Sequence, residues 1–434
     1  MAMMTASSSL LAILAGVFVG ALALVLVANE IGGRAGLPPP GRLLLAGGLG
    51  FGVFAFAIKA ILIVEIGSMG RDDLAPTPRP RATAHATAAD EAWPARARVS
   101  PFWSTWQALP ATPPEPAGNR STAAKIALGK RLFEDRDLSA DRTVACASCH
   151  GLAGGGDDGR AVSLGVGNQA GGRNAPSVVD AAWLSRLFWD GRAGSLEEQA
   201  KGPLLNPVEM AMPSGEAVVA RIAEKPGYEE MFAEAFGPGR AIDFDGVAKA
   251  IAAFERTLVS RDAPYDRFVS GEDGALGPAA LRGMALFEEI GCRSCHIDPT
   301  FSAAGRDKPF GVYRPFPVFA DDGLLARHRL DEERRAAWRV PSLRNVALTA
   351  PYMHNGAVES LEEAVRLMAV LQLGLKLSND PALRMAVTPG PVEDGNRRSL
   401  TAGRRRALGD DDIADLVAFL ESLTGWPAAA LAAK

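Results

Sequence analysis

Cysteine and histidine are scarce in this chain. Its 434 residues include four cysteines and five histidines. So few thiols leave no room for a disulfide-stapled scaffold. Charge of either sign is not in large excess, with 46 Lys and Arg against 50 Asp and Glu. That balance excludes the broad basic face of a nucleic-acid binder. No run of alternating strands is visible, which excludes a sheet-dominated fold. The tail before residue 10 has no charged side chain, and nothing after residue 28 resembles a small-residue cleavage site. Both absences argue against a cleaved leader.

What the chain does have is concentrated. Every cysteine lies in one of two Cys-x-x-Cys-His boxes, Cys146-Ala-Ser-Cys149-His150 and Cys292-Arg-Ser-Cys295-His296. Two thiols three positions apart suit the two vinyl groups of one porphyrin, and the adjacent histidine reaches the iron from the same face. Each box therefore reads as a covalent haem c attachment site. A zinc site would need its four sulfurs to converge. A redox dithiol would not need a histidine beside each pair. The expectation is two haems c on Cys146, Cys149, Cys292 and Cys295, ligated by His150 and His296, and hence electron or oxidant chemistry.

Two apolar runs, residues 10–28 and 43–64, are each about long enough to span a bilayer as a helix. They predict an uncleaved transmembrane hairpin over residues 1–70. Gly16/Gly20 and Gly48/Gly52 would let its helices approach closely. Arg34 and Arg42 in the intervening loop, against Glu30, place that loop in the cytoplasm. Haem c is attached outside the cytoplasmic membrane, which requires the same topology. The predicted location is the bacterial inner membrane, with the catalytic domains facing the periplasm. Lys59 interrupts the second run, where a mid-membrane lysine costs roughly 2.5–3.5 kcal/mol. It either snorkels toward the outer headgroups near Glu65 or meets a quinol or lipid.

The proline- and alanine-rich stretch 76–116, within a boundary of 71–120, predicts an extended linker. Trp93, Trp103 and Trp106 lie in it, expected to pack on the first soluble domain or to touch the membrane interface. Beyond it the sequence repeats. Gly129-Lys-Arg-Leu-Phe precedes the first box and Gly283-Met-Ala-Leu-Phe the second. Helical segments are predicted before each box, over 247–258, and over 411–423 with acids in its first turn. The predicted fold is mainly α: two cytochrome c-like domains in tandem, residues 121–275 and 276–426.

Several motifs in this order resemble the bacterial di-haem cytochrome c peroxidases and their MauG-type relatives, over residues 124–425. They are Leu-Gly-Lys-Arg-Leu-Phe (128–133), Phe-Trp-Asp-Gly-Arg (188–192), Glu-Gln-Ala-Lys-Gly-Pro (198–203), Val-Glu-Met (208–210) and Pro-Ser-Leu-Arg-Asn-Val-Ala-Leu-Thr-Ala-Pro-Tyr-Met-His-Asn-Gly (341–356). The resemblance implies a peroxidatic haem on His150 and a high-potential electron store on His296. It implies Glu209 as the distal acid/base, with Gln199 beside it, and Trp189 between the haems. For the sixth ligand of the second haem it implies Met368, in Ala-Val-Arg-Leu-Met (364–368), rather than Met353. It also implies a calcium ion held by the Asn174 side chain and the carbonyls of Thr349 and Pro351, oxygen donors that suit this cation.

Two departures stand out. Many members of that family carry a blocking histidine sixteen residues after the proximal one. Here that position is Val166, which cannot ligate iron, so the active haem is expected to stand open as in MauG-type enzymes. The stretch 379–406 looks like an insertion, rich in Pro, Gly and Arg, and should be a surface loop. The favoured function is reduction of hydrogen peroxide to water. Electrons would come from a soluble cytochrome, a copper protein or membrane quinol, in an enzyme that is a homodimer in many relatives. A MauG-type oxidase modifying a protein or small molecule is the rival within the family. A non-catalytic electron-transfer cytochrome is the rival outside it.

Overall fold

The computed structural model describes residues 106–305, 312–315, 337–380 and 407–425. The expected hairpin, Lys59, most of the linker with Trp93 and Trp103, His85, His328 and most of the 379–406 stretch lie outside the described residues. No helix among the described residues is long and apolar enough to cross a membrane.

The first haem domain is built from α1 (Ala123–Glu134), α2 (Cys146–Cys149), α3 (Leu196–Leu205), α4 (Gly215–Ala223), α5 (Tyr228–Phe236) and α6 (Phe244–Glu255). Side-chain caps start most of them: Thr122 on α1, Ser195 on α3, Ser214 on α4 and Asp243 on α6. Each such cap is worth about 1 kcal/mol. Leu128, Leu132 and Phe133 of α1 meet Ala250, Ile251 and Phe254 of α6 in the first core. The second domain repeats the plan with α8 (Pro278–Glu289) and α10 (Asp410–Glu421), after the short α7 (Pro264–Val269). Leu281, Met284 and Phe287 meet Leu416, Phe419 and Leu420 there. Helix α9 (Leu361–Leu371), capped by Ser360, completes it.

The repeated glycines explain why the two halves match. Gly129 on α1 faces the carbonyl of Ala250 on α6, and Gly283 on α8 faces the carbonyl of Asp415 on α10. At both places a Cβ would overlap a main-chain oxygen, so only glycine permits that helix crossing. The aromatic pair beside each crossing also repeats. Phe133–Phe254 centroids lie 5.3 Å apart and Phe287–Phe419 centroids 5.2 Å apart.

The described residues are not purely helical. Strands β1 (Tyr313–Pro315) and β2 (Ala337–Arg339) pair antiparallel, and β3 (Lys376–Leu377) pairs parallel with β4 (Ala407–Leu408). They are too short to show as alternation in sequence. The second pair joins the two ends of the 379–406 stretch. Asn379 and Asp410 reinforce it, with Asn379 Nδ2 donating at 3.0 Å and Asp410 N–H donating back at 2.9 Å. The chain thus departs and returns at one point, so added length there leaves the domain intact.

The end of the linker behaves differently from expectation. Residues 106–119 lie on the folded domains rather than apart from them. Trp106 packs into the second domain, not the first. It is 5% exposed, among Tyr265, Phe287, Phe301 and Phe419, with the Arg293 guanidinium 4.0 Å from its ring centre. Gln107 N–H donates to Asp298 at 2.7 Å, and Leu109 N–H to Asp266 at 2.9 Å. Asn119 then bonds Glu197 and the Lys249 carbonyl in the first domain, each at 2.9 Å. The segment is a strap across both domains, and an aromatic pocket made from four separated segments could not be read from the linker's own composition.

Candidate active site

Both Cys-x-x-Cys-His boxes fold in the same way. A single helical turn brings each histidine N–H to the carbonyl of the first cysteine, at 3.0 Å for His150 on Cys146 and 3.0 Å for His296 on Cys292. Each imidazole is then fixed by a second bond. His150 Nδ1 lies 3.2 Å from the Gly156 carbonyl, and His296 Nδ1 lies 3.1 Å from the Phe301 carbonyl. A carbonyl can only accept, so Nδ1 carries the proton and Nε2 is left as the lone-pair donor. This is the orientation an iron ligand needs. Burial lowers both imidazoles, His296 to about 4, so both are neutral near pH 7, as ligation requires.

The second box opens on a cavity of about 270 Å³ lined by Cys292, Cys295, His296 and Met368. Its remaining walls are largely apolar, including Phe287, Leu361, Leu416 and Leu420. Two thiols, an oriented imidazole and a thioether around one apolar cavity fit a covalently held haem. Met353 borders the same cavity. Geometry therefore brings both methionines to the site. Met368 extends from the middle of α9, on the side that carries the cavity-lining Ala364 and Val365, whereas Met353 occupies a turn with φ of 70°.

Trp189 reaches this cavity from the first domain. Its Nε1–H donates to the Asn174 carbonyl at 2.9 Å, and its ring meets His354 edge-on at 6.4 Å. His354 in turn stacks on Trp338 at 4.1 Å. Asn174, Thr349 and Pro351 border the cavity as well. The Asn174 amide nitrogen donates to the Arg160 carbonyl at 2.8 Å, which turns its oxygen away from that bond. Among the described residues no group of three or more His, Cys, Asp or Glu side chains gathers as a metal site.

Around the first box, Glu209 lies close enough to act on both cysteine thiols. Both Cys146 and Cys149 are raised, first by burial and then by neighbouring carboxylates that include Glu209. Glu209 is itself raised by burial, against the opposing pull of Arg192 and of a hydrogen bond from Asn206 Nδ2 at 2.6 Å. Asn206 is the C-cap of α3, the helix that carries Gln199. No hydrogen bond joins Gln199 to Glu209. Val166 is buried in the first core, and its N–H donates to the Glu209 carbonyl at 2.9 Å. The valine loop and the acid therefore lie against each other.

Three residues of the site were not singled out from sequence. Trp338, Arg339 and Arg314 border the second cavity. Arg314 Nε donates to Cys295 Sγ at 3.2 Å. Trp338 and Arg339 are marked in sequence only by proximity to the 341–356 motif, and nothing local marks Arg314.

The chain is similar to known proteins over this same region. A sequence model described as di-haem cytochrome c peroxidase matches residues 123–274. "Cytochrome c peroxidase Ccp" of Escherichia coli is 37% identical over 318 residues, covering 72% of this chain and 60% of that protein. The chain therefore spans less than two thirds of that relative's length. "Methylamine utilization protein MauG" of Methylorubrum extorquens is 38% identical over 331 residues, covering 74% of this chain and 84% of that one. Among solved structures, a MauG-like protein associated with microbial copper homeostasis superposes with a TM-score of 0.57 at 31% identity. That match covers 73% of this chain and 95% of the other.

Proposed function

The chain belongs to the di-haem cytochrome c peroxidase family, and on that premise we propose that it reduces hydrogen peroxide to water with electrons from a separate donor. Two covalently held haems supply the iron chemistry of peroxide cleavage and electron storage when bound. Cys146, Cys149 and His150 hold one, and Cys292, Cys295, His296 and Met368 hold the other. Glu209 takes a proton from one peroxide oxygen and returns it to the other, so that water can leave. Gln199 orients peroxide beside it. Trp189 stands in the path between the two sites. The Asn174 oxygen and the carbonyls of Thr349 and Pro351 would hold a calcium ion, whose positive charge they are suited to bind as oxygen donors. Residues 1–70 anchor the enzyme in the inner membrane, catalytic domains in the periplasm.

The observation that carries this reading is the pairing of Val166 with Glu209. A half-buried acid whose charge is felt by both Cys146 and Cys149 gives that site a proton relay, which a plain electron carrier does not need. The valine on the loop packed against it cannot ligate iron, and it stands in place of the histidine that the family pattern puts at that position. The same valine favours a second reading, a MauG-type oxidase acting on a protein or small molecule.

The test is peroxide consumption by the purified full-length protein with reduced cytochrome c, a reduced copper protein or a quinol. Peroxidase function predicts donor oxidation at two electrons per peroxide, without a lag, from the fully oxidised enzyme. Peroxide consumption with no donor oxidised would favour the oxidase. No consumption at all would exclude both. Val166→His should introduce a block that reduction relieves. A low-spin spectrum from both oxidised haems of the unaltered protein would overturn the open-site argument.

A further inference from the structure

Three arginines, Arg314, Arg339 and Arg344, border the cavity of the second haem box. Arg344 is fully engaged, with Asp266 at 2.6 and 2.8 Å and the Pro299 carbonyl at 2.7 Å. Arg314 meets Cys295 Sγ at 3.2 Å and the Tyr313 carbonyl at 3.0 Å.

Arg339 is different. It is 4% exposed, yet its guanidinium meets only main-chain oxygen: Nε donates to the Phe188 carbonyl at 2.9 Å, and Nη1 reaches the Val340 carbonyl at 3.5 Å. No carboxylate pairs with it among the described residues. Asp190, the carboxylate whose charge it feels, is already bonded by Arg173 at 2.7 Å and Arg192 at 2.9 Å. Burial lowers its guanidinium to about 10, the direction expected for a cation without a counter-charge. A buried unpaired ion costs several kcal/mol.

Its neighbour has a matching deficit. Trp338 is 5% exposed and borders the same cavity, and its buried Nε1–H has no acceptor among the described residues. The ring cannot easily turn to find one. It is stacked on His354 at 4.1 Å, with the Arg173 guanidinium 4.9 Å from its centre. A buried cation without an anion and a buried N–H without an acceptor, both bordering one cavity, match a carboxylate ligand.

We infer that Arg339 and the Trp338 Nε1–H form a carboxylate site that holds a propionate of the haem attached to Cys292 and Cys295. The inference rests on the two-haem reading above. It gives Arg339 two tasks. A fixed cation beside that haem favours its reduced state and so raises its reduction potential. The Arg339 main-chain N–H also donates to the Trp189 carbonyl at 2.9 Å. Holding the propionate thus fixes the strand that positions the inter-domain tryptophan.

The experiment uses full-length protein carrying its haems, with Arg339→Gln, Arg339→Lys and Trp338→Phe. Mass measurement of the denatured chain counts attached haems and tests the two-haem reading by itself. Redox titration of the methionine-ligated haem tests the carboxylate site. Arg339→Gln should shift its reduction equilibrium toward the oxidised form at least tenfold, 59 mV for one electron. Arg339→Lys should recover part of the shift. Trp338→Phe should move it less, in the same direction, and the other haem should stay unchanged in all three. Unshifted titrations for Arg339→Gln and Trp338→Phe, with two haems attached, overturn the site. If Arg339→Gln fails to fold or loses its haem, an unshifted Trp338→Phe overturns it alone. Fewer than two haems on the unaltered chain would instead overturn the two-haem reading.

Discussion

The Trp189 indole donates its N–H to the main-chain carbonyl of Asn174 at 2.9 Å, and the Asn174 N–H donates to the His354 carbonyl at 2.7 Å. A chain of two hydrogen bonds thus locks an aromatic ring from the first domain against the second. A ring with one fixed orientation gives a defined electronic path, whereas a merely space-filling ring needs no such bond. Trp189→Phe should preserve packing and both haem spectra but slow donor-dependent peroxide turnover roughly tenfold, about 1.4 kcal/mol of barrier. Steady-state turnover beside single-turnover inter-haem transfer checks this. Unchanged transfer would reduce Trp189 to a packing role.

The cavity offers two methionines, and their backbones differ. Met368 is held in a regular helix, and Met353 in a left-handed turn that suits a chain reversal better than a ligand platform. Met368→Leu is therefore expected to abolish the methionine-ligated low-spin signature and lower that haem's potential. Met353→Leu should leave both intact. Near-infrared absorbance of the oxidised variants separates the two, and the reverse pattern would reassign the ligand.

Much of this was legible because it is local. The haem boxes are five-residue motifs, and the helices that precede them carry local start signals, the Thr122 cap on α1 and Pro278 at the start of α8, along with apolar faces. The predicted helix over 247–258 and that over 411–423 fall within a few residues of α6 and α10. What was not legible depends on distant partners. Trp106 reads as a linker tryptophan until Tyr265, Phe301 and Phe419 are seen around it. Arg339 reads as an ordinary charge next to a motif, and only burial without a carboxylate marks it. The repeat of Gly129 and Gly283 was visible, but its cause, two helices crossing within contact of a carbonyl, belongs to the packing.

That crossing gives a stability prediction. Gly283→Ala puts a methyl group against the Asp415 carbonyl, and Gly129→Ala does the same at Ala250. Main chain cannot yield as a flexible side chain can, so each pair of helices must part. Overpacking of this kind typically costs about 1–3 kcal/mol. Gly274→Ala is the control, because nothing lies within 4 Å of a Cβ there. Denaturant midpoints should fall for the first two variants and hold within about 0.5 kcal/mol for the third. Equal midpoints for Gly283→Ala and Gly274→Ala would mean that the crossing tolerates a side chain.

The remaining prediction concerns Glu209. Burial raises its carboxyl, while Arg192 and Asn206 favour the ionised form. The base that takes a proton from peroxide must be ionised. Activity should therefore rise with pH through a midpoint above the ordinary carboxylate range and be lost as pH falls through it. Asn206→Ala removes the 2.6 Å bond that stabilises the charge, so its acid limb should move to still higher pH. Glu209→Gln should keep the haem spin state, slow peroxide cleavage by roughly 10²–10⁴-fold, and flatten the acid limb altogether. Stopped-flow rates across pH for the three proteins make the comparison. An acid limb that survives in Glu209→Gln belongs to another group, and the proton relay must then be sought elsewhere in the pocket.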